Sequence, residues 1–235
     1  MKGPLTLISE AWDIVVAHRQ LFIGIYLVPG LIMLFFEIVN DRMRDTPDPL
    51  FMGGMFIAMI IMLVSQVLMA TALMYAAAHL DTDVKAAYAE AKRVFWPMIW
   101  VSLLSGVIML LGFVLFIIPG IIFSVWFLFA SYVLLYEGTR GTAALRESKA
   151  MVRGKWWAVF GRVIVLVFFS FVVGIAVSIV DSMIPGGYDV PIIFFFVSAF
   201  LIPVATNYLY LLYKEVRAHA DTAETEKPAE IPQVS

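Results

Sequence analysis

The sequence predicts an all-α polytopic membrane protein with six transmembrane helices. Hydrophobic residues make up 62% of the chain and charged residues only 14%, and the mean hydropathy is +0.93. These values leave too little polar surface to cover a water-soluble domain. Six apolar stretches fill most of the chain, and each approaches the ~20 residues that a helix needs to cross the hydrocarbon core. Because backbone groups in lipid must bond within their own segment, we expect these stretches to be helices.

The six predicted spans belong to a membrane domain that covers residues 1–217. Their predicted ranges are 21–39, 54–78, 100–118, 121–136, 157–180 and 191–213. The first apolar stretch follows about twenty residues that include Glu10 and Asp13, not a short basic region, so we expect it to remain in the mature protein. Residues 218–235 have no apolar periodicity, and we expect them to form a disordered cytoplasmic tail.

The connection between the third and fourth predicted spans is unusually apolar. No charged or polar side chain occurs from Phe116 to Phe123. The Pro119-Gly120 pair stops a helix and permits a tight reversal of the chain at this point. Two interpretations stay open: the two spans cross the membrane completely, or they form a shallow hairpin that turns within the outer leaflet and is covered by its neighbours.

The distribution of cations predicts the orientation of the chain. Of the 16 Lys and Arg residues, Arg42 and Arg44 lie on one side of the predicted membrane and the other 14 lie on the opposite side. Cytoplasmic loops carry the excess of Lys and Arg in membrane proteins. With an even number of crossings, both termini are therefore expected in the cytoplasm, and the protein in the cytoplasmic membrane.

Three short amphipathic segments precede the three pairs of spans, over residues 5–20, 84–95 and 143–153. Each has an apolar line at helical spacing and one Glu followed by a small residue. The apolar lines are Leu5, Ile8, Trp12 and Val15; Val84, Ala87, Ala91 and Val94; and Ala144, Leu145, Ser148, Met151 and Val152. The small residues are Ala11, Ala91 and Ser148. This pattern predicts three copies of an interfacial helix followed by a transmembrane hairpin.

An ordered set of short motifs gives the chain a family resemblance. The set is Pro119-Gly120-Ile121-Ile122, Glu137-Gly138, the helix from Ala143 to Ser148, and the segment from Val152 to Trp157. It resembles the glycerophosphoryl diester phosphodiesterase membrane-domain family and related six-span bacterial proteins. That family has a Pro-Gly turn, an acidic residue ending the next span and an Ala-Leu-x-x-Ser-x-x-x-x-x-Gly-x-x-Trp helix in this order. The resemblance implies a membrane architecture and no reaction, because these residues contain no counterpart of the family's catalytic domain.

Cations and tryptophans cluster before and within the fifth predicted span. The residues are Arg146, Lys149, Arg153, Lys155, Trp156, Trp157 and Arg162. Functionally, they would contact anionic lipid head groups, at about 1 kcal/mol per cation near the membrane surface. The alternative is that they are only the topology signal and the aromatic belt of a membrane protein. The cluster is too short, and too close to the membrane, to indicate a nucleic-acid partner.

Few polar residues occur within the spans. Gln66 and Asn207 are expected to hydrogen-bond between helices, and Ser170, Gly174 and Ser178 recur every fourth residue, which lets a neighbouring helix approach closely.

Acidic residues and prolines near the spans have structural explanations as well as functional ones. Glu37, Glu137 and Asp181 fall at predicted span ends, and we expect Glu137 to pair with Arg140 or Arg146. A proton relay would need ionisable groups at mid-depth, and the sequence places none there. Pro29 and Pro203 interrupt the first and last spans, as in the broken helices of transporters and in ordinary kinked helices.

The sequence offers no recognisable catalytic or metal site. It has no cysteine, and His18, His79 and His219 share no ligand spacing. We therefore expect no cofactor and no enzymatic activity, but a structural or accessory role in the cytoplasmic membrane that engages lipids or a membrane-protein partner. A transporter or flippase for a lipid-like or apolar small molecule is the first alternative. An intramembrane lipid-modifying enzyme is the second, and it would need a nucleophile or carboxylate pair that the sequence does not reveal.

Overall fold

A computed structural model of the chain describes residues 1–42, 49–183 and 192–225, and this part of the chain forms ten α-helices. Their bounds are α1 Pro4–Ala17, α2 Arg19–Arg42, α3 Pro49–Ala78, α4 Val84–Arg93, α5 Phe95–Leu115, α6 Ile117–Trp126, α7 Ala130–Glu137, α8 Thr142–Val152, α9 Trp156–Ser182 and α10 Ile192–Thr225. Positions 43–48, 184–191 and 226–235 lie outside the described residues.

Six helical segments are long and apolar enough to cross a membrane, which confirms the all-helical class and the number of spans. They are Arg19–Val39, Gly53–Ala78, Phe95–Leu115, Ile117–Glu137, Trp156–Val180 and Ile193–Thr222. The third begins at Phe95, five residues earlier than predicted, because Pro97 occupies the first turn of α5, where its missing N–H leaves no helical bond unmade. The fourth contains both α6 and α7, with a break at residues 127–129.

The connection between α5 and α6 differs from the predicted Pro-Gly reversal. The chain reverses at Phe116 alone, which has the extended dihedrals φ −162° and ψ 151°. Pro119 lies in the first turn of α6, where a proline is tolerated. Gly120 instead provides close packing, since a Cβ there would overlap the ring of Phe113, and a Cβ on Gly112 would come within 3.1 Å of the Gly120 backbone.

The three short helices α1, α4 and α8 pack on α10, α3 and α7 respectively. Each buries completely the small residue that follows its glutamate, namely Ala11, Ala91 and Ser148. The five residues of the line predicted for α8 are all buried. In α1 the residues that pack on the bundle are not those of the predicted apolar line, apart from Val15: Leu7, Ala11 and Val15 are buried, whereas Leu5 is 74% and Trp12 50% exposed. The face of α1 with Leu7 and Ala11 is the one that packs on the bundle.

The last helix extends beyond its predicted end. We expected a disordered tail from Ala218, but α10 remains helical through Thr225, and the turn just before Ala218 packs with other parts of the chain. Val216 is fully buried, the Lys2 N–H donates to Glu215 Oε1 over 2.9 Å, and Arg217 reaches Glu147 of α8. We call this end of the bundle, formed by α1, α4, α8 and residues 213–225 of α10, the basic end.

Candidate functional site

Arg217 of α10 ties together two glutamates from other helices at the basic end. Its guanidinium lies 2.5 Å from Glu147 Oε1 of α8 and 3.4 Å from Glu137 Oε2 of α7. The Tyr213 hydroxyl donates to the other Glu137 oxygen over 2.7 Å. The expected pairing of Glu137 with Arg140 or Arg146 was therefore wrong. The C-terminal part of α10 lies against α7 and α8 and supplies the cation. Residues close to Glu137 in the sequence do not reveal this partner.

This arrangement leaves the cations around α8 without an acidic neighbour. Glu147 is the only carboxylate in α8, and Arg217 occupies it. Arg146 and Arg153 are exposed, and within the described residues neither forms an ion pair. The Lys149 ammonium lies 4.0 Å from the centroid of the Trp126 ring, which is a cation–π contact. The outer surface of α8 is therefore positively charged.

Two tryptophans begin α9 beside these cations, together with Lys155, which is partly exposed. Trp157 is 78% exposed. Trp156 stacks on Phe160 with ring centroids 4.9 Å apart, and its buried Nε1 has no hydrogen-bond partner in the described part of the chain. Indole rings beside cations are typical of side chains at the head-group level of a membrane. At the beginning of α9, Trp156 therefore packs inward and Trp157 points outward.

Arg162 lies farther along α9 and bonds to the beginning of the chain. Its Nε and Nη2 donate to the Lys2 carbonyl oxygen over 3.0 and 2.7 Å, and its Nη1 donates to the Ala158 carbonyl over 2.8 Å. The Tyr208 hydroxyl donates to the Arg162 carbonyl over 2.8 Å. A guanidinium has five N–H donors, so two remain free. Among the described residues no carboxylate pairs with it.

Ser148 joins α8 to the break between α6 and α7. Its fully buried hydroxyl donates to the Trp126 carbonyl over 2.7 Å and accepts the Phe129 N–H over 3.2 Å. A break in a span exposes backbone groups that lipid cannot satisfy. One hydroxyl from α8 therefore satisfies a donor and an acceptor that the interrupted helix leaves free.

Tyrosine hydroxyls form the interhelical hydrogen bonds that the sequence analysis assigned to other residues. Tyr26 bonds to Ser198 over 2.6 Å, Tyr88 to the Ile25 carbonyl over 2.6 Å and Tyr132 to the Thr206 carbonyl over 3.3 Å. Tyr136 donates to the Met74 carbonyl, and Tyr208 and Tyr213 make the bonds given above. One signal was available in the sequence: Pro29 has no N–H, so the Ile25 carbonyl four residues earlier had to find another donor.

The polar residues predicted to join helices behave differently. Asn207 is fully buried, but its amide donates to the Pro203 carbonyl of its own helix over 2.9 Å, and its Oδ1 has no partner in the described residues. Gln66 is half-buried, with no side-chain hydrogen bond to the described part of the chain. Ser170 and Gly174 are half-buried and Ser178 is exposed. A Cβ at Gly174 would meet nothing within 4 Å, so no helix in the described part of the chain approaches closely there.

An apolar groove of about 460 Å³ runs between α9 and α10. It is lined by Trp12, Phe169, Val173, Ile193, Phe196, Val197, Phe200, Leu201 and Val204. The α9 side of the groove belongs to the most exposed of the six spans, with only 11% of its apolar window buried. A second groove of similar volume lies between α2 and α3, lined by residues such as Phe35 and Ile61. Neither groove is lined by Gln66 or Asn207.

Comparison of the chain with protein-family models, with curated proteins and with solved structures gives no match. Within the described residues, no group of three His, Asp or Glu side chains is arranged to hold a metal ion.

Proposed function

We propose that this integral membrane protein has a non-enzymatic, structural or accessory role in the cytoplasmic membrane and binds anionic lipids through the outer surface of α8. The observation that carries the proposal is the pairing of Glu147 and Glu137 with Arg217. Arg217 binds the one carboxylate of α8, and Arg146 and Arg153 form no ion pair within the described residues. Exposed cations beside exposed indoles are suited to phosphate head groups.

The strength of the binding to anionic lipid depends on how many cations reach the head groups. Each Lys or Arg near an anionic membrane surface contributes about 1 kcal/mol. A carboxylate paired with one of these cations would weaken its attraction for a phosphate. The local charge around α8 is positive because the cations outnumber its one carboxylate, which is paired with Arg217, so the cations Arg140, Arg146, Arg153 and Lys155 act together on the lipid.

The finer architecture belongs to the same proposal: three transmembrane hairpins, each preceded by an interfacial helix, with both termini in the cytoplasm. The packing of α4 on α3, α8 on α7 and α1 on α10 supports it. Each short helix then packs on the last span of the preceding unit, and α1 closes the ring by packing on the last unit. The resemblance to the phosphodiesterase membrane-domain family remains part of this proposal on the motifs alone.

A transporter or flippase is the second candidate, favoured by the break at residues 127–129 in the fourth span. Transporters form their substrate sites at such breaks because unwound backbone groups there can coordinate a substrate. Here Ser148 bonds to the Trp126 carbonyl and the Phe129 N–H, and the carbonyl freed by Pro29 is bonded by Tyr88. These bonds favour the accessory role, since the freed groups are engaged within the protein.

The proposal is tested by removing two cations from the segment around α8 and comparing the result with a control variant that loses two cations elsewhere. One variant carries Arg146→Gln and Arg153→Gln, and the control carries Lys85→Gln and Lys92→Gln on the exposed surface of α4. Gln keeps helix propensity nearly unchanged. The delipidated proteins in non-ionic detergent are titrated with phosphatidylglycerol and, in parallel, with phosphatidylcholine, and native mass spectrometry counts the bound lipids.

We expect the α8 variant to bind phosphatidylglycerol several-fold more weakly than the α4 control, with little change for phosphatidylcholine. The difference should shrink at high salt, because mobile ions screen exposed charges. Arg217→Gln should weaken binding in the same direction, because it removes a cation and leaves the negative charges of Glu147 and Glu137 uncompensated beside α8. Equal affinities of both double variants and the natural protein would overturn the proposal. Saturable substrate movement across vesicles would favour the transporter.

A further inference from the structure

We infer that the groove between α9 and α10 holds one acyl chain of an anionic phospholipid whose phosphate binds Arg162. This inference rests on the proposed lipid binding and specifies a second site for it, separate from α8. Two features support it: a positioned cation that forms no ion pair with a described carboxylate, and an apolar groove that begins two helical turns away on the same face of α9.

Arg162 is held in place but not neutralised. Three of its N–H groups bond to the carbonyl oxygens of Lys2 and Ala158, and these acceptors carry no net charge. A free N–H remains on each terminal nitrogen, the geometry with which a guanidinium binds two oxygens of one phosphate. Bonds to the Lys2 carbonyl fix the side chain before a ligand arrives, so binding loses less conformational entropy.

The groove continues from Arg162 along one face of α9. Arg162, Leu166, Phe169 and Val173 follow one another at intervals of three and four residues, which places them within about 60° on a helix of 3.6 residues per turn. Phe169 and Val173 line the groove. On α10 the lining ends at Val204, and Tyr208, one turn beyond it, donates to the Arg162 carbonyl. The cation therefore lies beyond one end of the groove, about 10 Å along α9 from Phe169.

The length of the groove suits one acyl chain. The lining of α10 runs from Ile193 to Val204, which is about 16 Å at 1.5 Å per residue. Half of the ~30 Å hydrocarbon core is about 15 Å. The groove is lined almost entirely by apolar atoms, so it suits a hydrocarbon chain. Trp12 lines it from α1 and lies 6.4 Å from Phe200 between ring centroids.

The test separates the phosphate contact from the chain contact. Arg162→Gln removes the charge, and Arg162→Lys restores a cation without the fork of donors. The double variant Val173→Phe and Val197→Phe fills the groove and leaves Arg162 unchanged. Each full-length protein is titrated in non-ionic detergent with phosphatidylglycerols of increasing acyl length, and native mass spectrometry resolves each binding step. Thermal unfolding of each variant without lipid shows whether it remains folded.

In the natural protein we expect one binding step whose affinity rises with acyl length. Arg162→Gln should weaken that step about tenfold, with Arg162→Lys intermediate, and the filled groove should abolish the dependence on acyl length. Retention of the step and of its length dependence in folded variants would overturn the inference. If those variants behave like the natural protein while the α8 variant loses lipid, the proposed function stands and only this site fails. If the α8 variant also keeps its lipid, both fail.

Discussion

The hydroxyl of Tyr88 on α4 donates a 2.6 Å hydrogen bond to the carbonyl of Ile25 on α2. In an unbroken helix that carbonyl would accept the N–H of residue 29, and residue 29 is a proline. The proline in the first span and the tyrosine on α4 are therefore one structural unit. A feature that could be taken for the broken helix of a transporter is satisfied by a neighbouring side chain.

Replacing Tyr88 by Phe should destabilise the protein by about 1–2 kcal/mol, because it leaves the Ile25 carbonyl without a donor. In a Pro29→Ala background the same change should be nearly neutral, since the backbone N–H of residue 29 then bonds to Ile25. Thermal unfolding in detergent of the four proteins of this double-mutant cycle measures the coupling. Strictly additive effects of the two substitutions would show that Tyr88 and Pro29 are not energetically coupled.

The same residue predicts a pH dependence. Burial raises the pKa of Tyr88 from its ordinary value near 10 to about 12, because the half-buried hydroxyl is harder to ionise. The fold thus favours the neutral form, and its contribution is complete below pH 10 and is lost as the pH rises from 10 through 12. Between pH 10 and pH 12, the free energy of unfolding of the natural protein should therefore fall more than that of the Tyr88→Phe variant.

Ser148→Ala tests the bridge between α8 and the break in the fourth span. The change leaves the buried Trp126 carbonyl and Phe129 N–H without their partner, at about 1–3 kcal/mol for each group. Ser124→Ala is the matched control, because Ser124 only donates to the Gly120 carbonyl of its own helix. We expect a lower unfolding temperature for Ser148→Ala and little change for Ser124→Ala. Equal effects would show that Ser148 has no special role.

The spans and some buried helix faces were predictable from the sequence, because they depend on composition and on the periodicity of the hydrophobic residues. The face of α8 from Ala144 to Val152 follows from its spacing alone, since polar residues occupy the opposite side. In α1 the same reasoning selected Leu5 and Trp12, which are largely exposed. A helix that meets both protein and lipid carries two apolar faces, and hydrophobic periodicity cannot tell which of them packs on protein.

The candidate site was only partly predictable for a different reason. The cluster around Arg146, Arg153 and Trp157 is local in sequence, so its members were found together. Its charge depends on Arg217, seventy positions after Glu147, and no local pattern reveals that pairing. The tyrosine hydroxyls were missed because an aromatic residue in a span is read first as a packing or interfacial group.

Two glycines should respond oppositely to alanine. Gly120→Ala places a methyl group against the Phe113 ring, and such overpacking costs about 1–3 kcal/mol. Gly174→Ala meets nothing within 4 Å, so the better helix propensity of alanine should leave stability unchanged or raise it by up to about 1 kcal/mol. Unfolding temperatures in detergent compare them. A clear loss for Gly174→Ala would show that the Ser170, Gly174 and Ser178 stripe contacts another protein.

The orientation of the chain is testable with reporters. A reporter fused after Ser235 should be active in the cytoplasm, and one inserted at Asp45, which lies outside the described residues, should be active on the other side. The reason is the uneven distribution of Lys and Arg, with 14 of the 16 on the side of the termini. Reversed activities at both positions would contradict this topology.

The depth of the turn between α5 and α6 can be measured because the chain has no cysteine of its own. Phe116 in that turn and Met183 after α9 are 74% and 75% exposed, so geometry alone gives cysteines at these two positions equal access. If the apolar turn lies in the outer leaflet, lipid covers it. A water-soluble maleimide added from outside should then label Met183→Cys at least tenfold faster than Phe116→Cys. Labelling both in denaturant controls for thiol reactivity. Equal rates in the membrane would mean that the third and fourth spans cross it completely and that the turn reaches water.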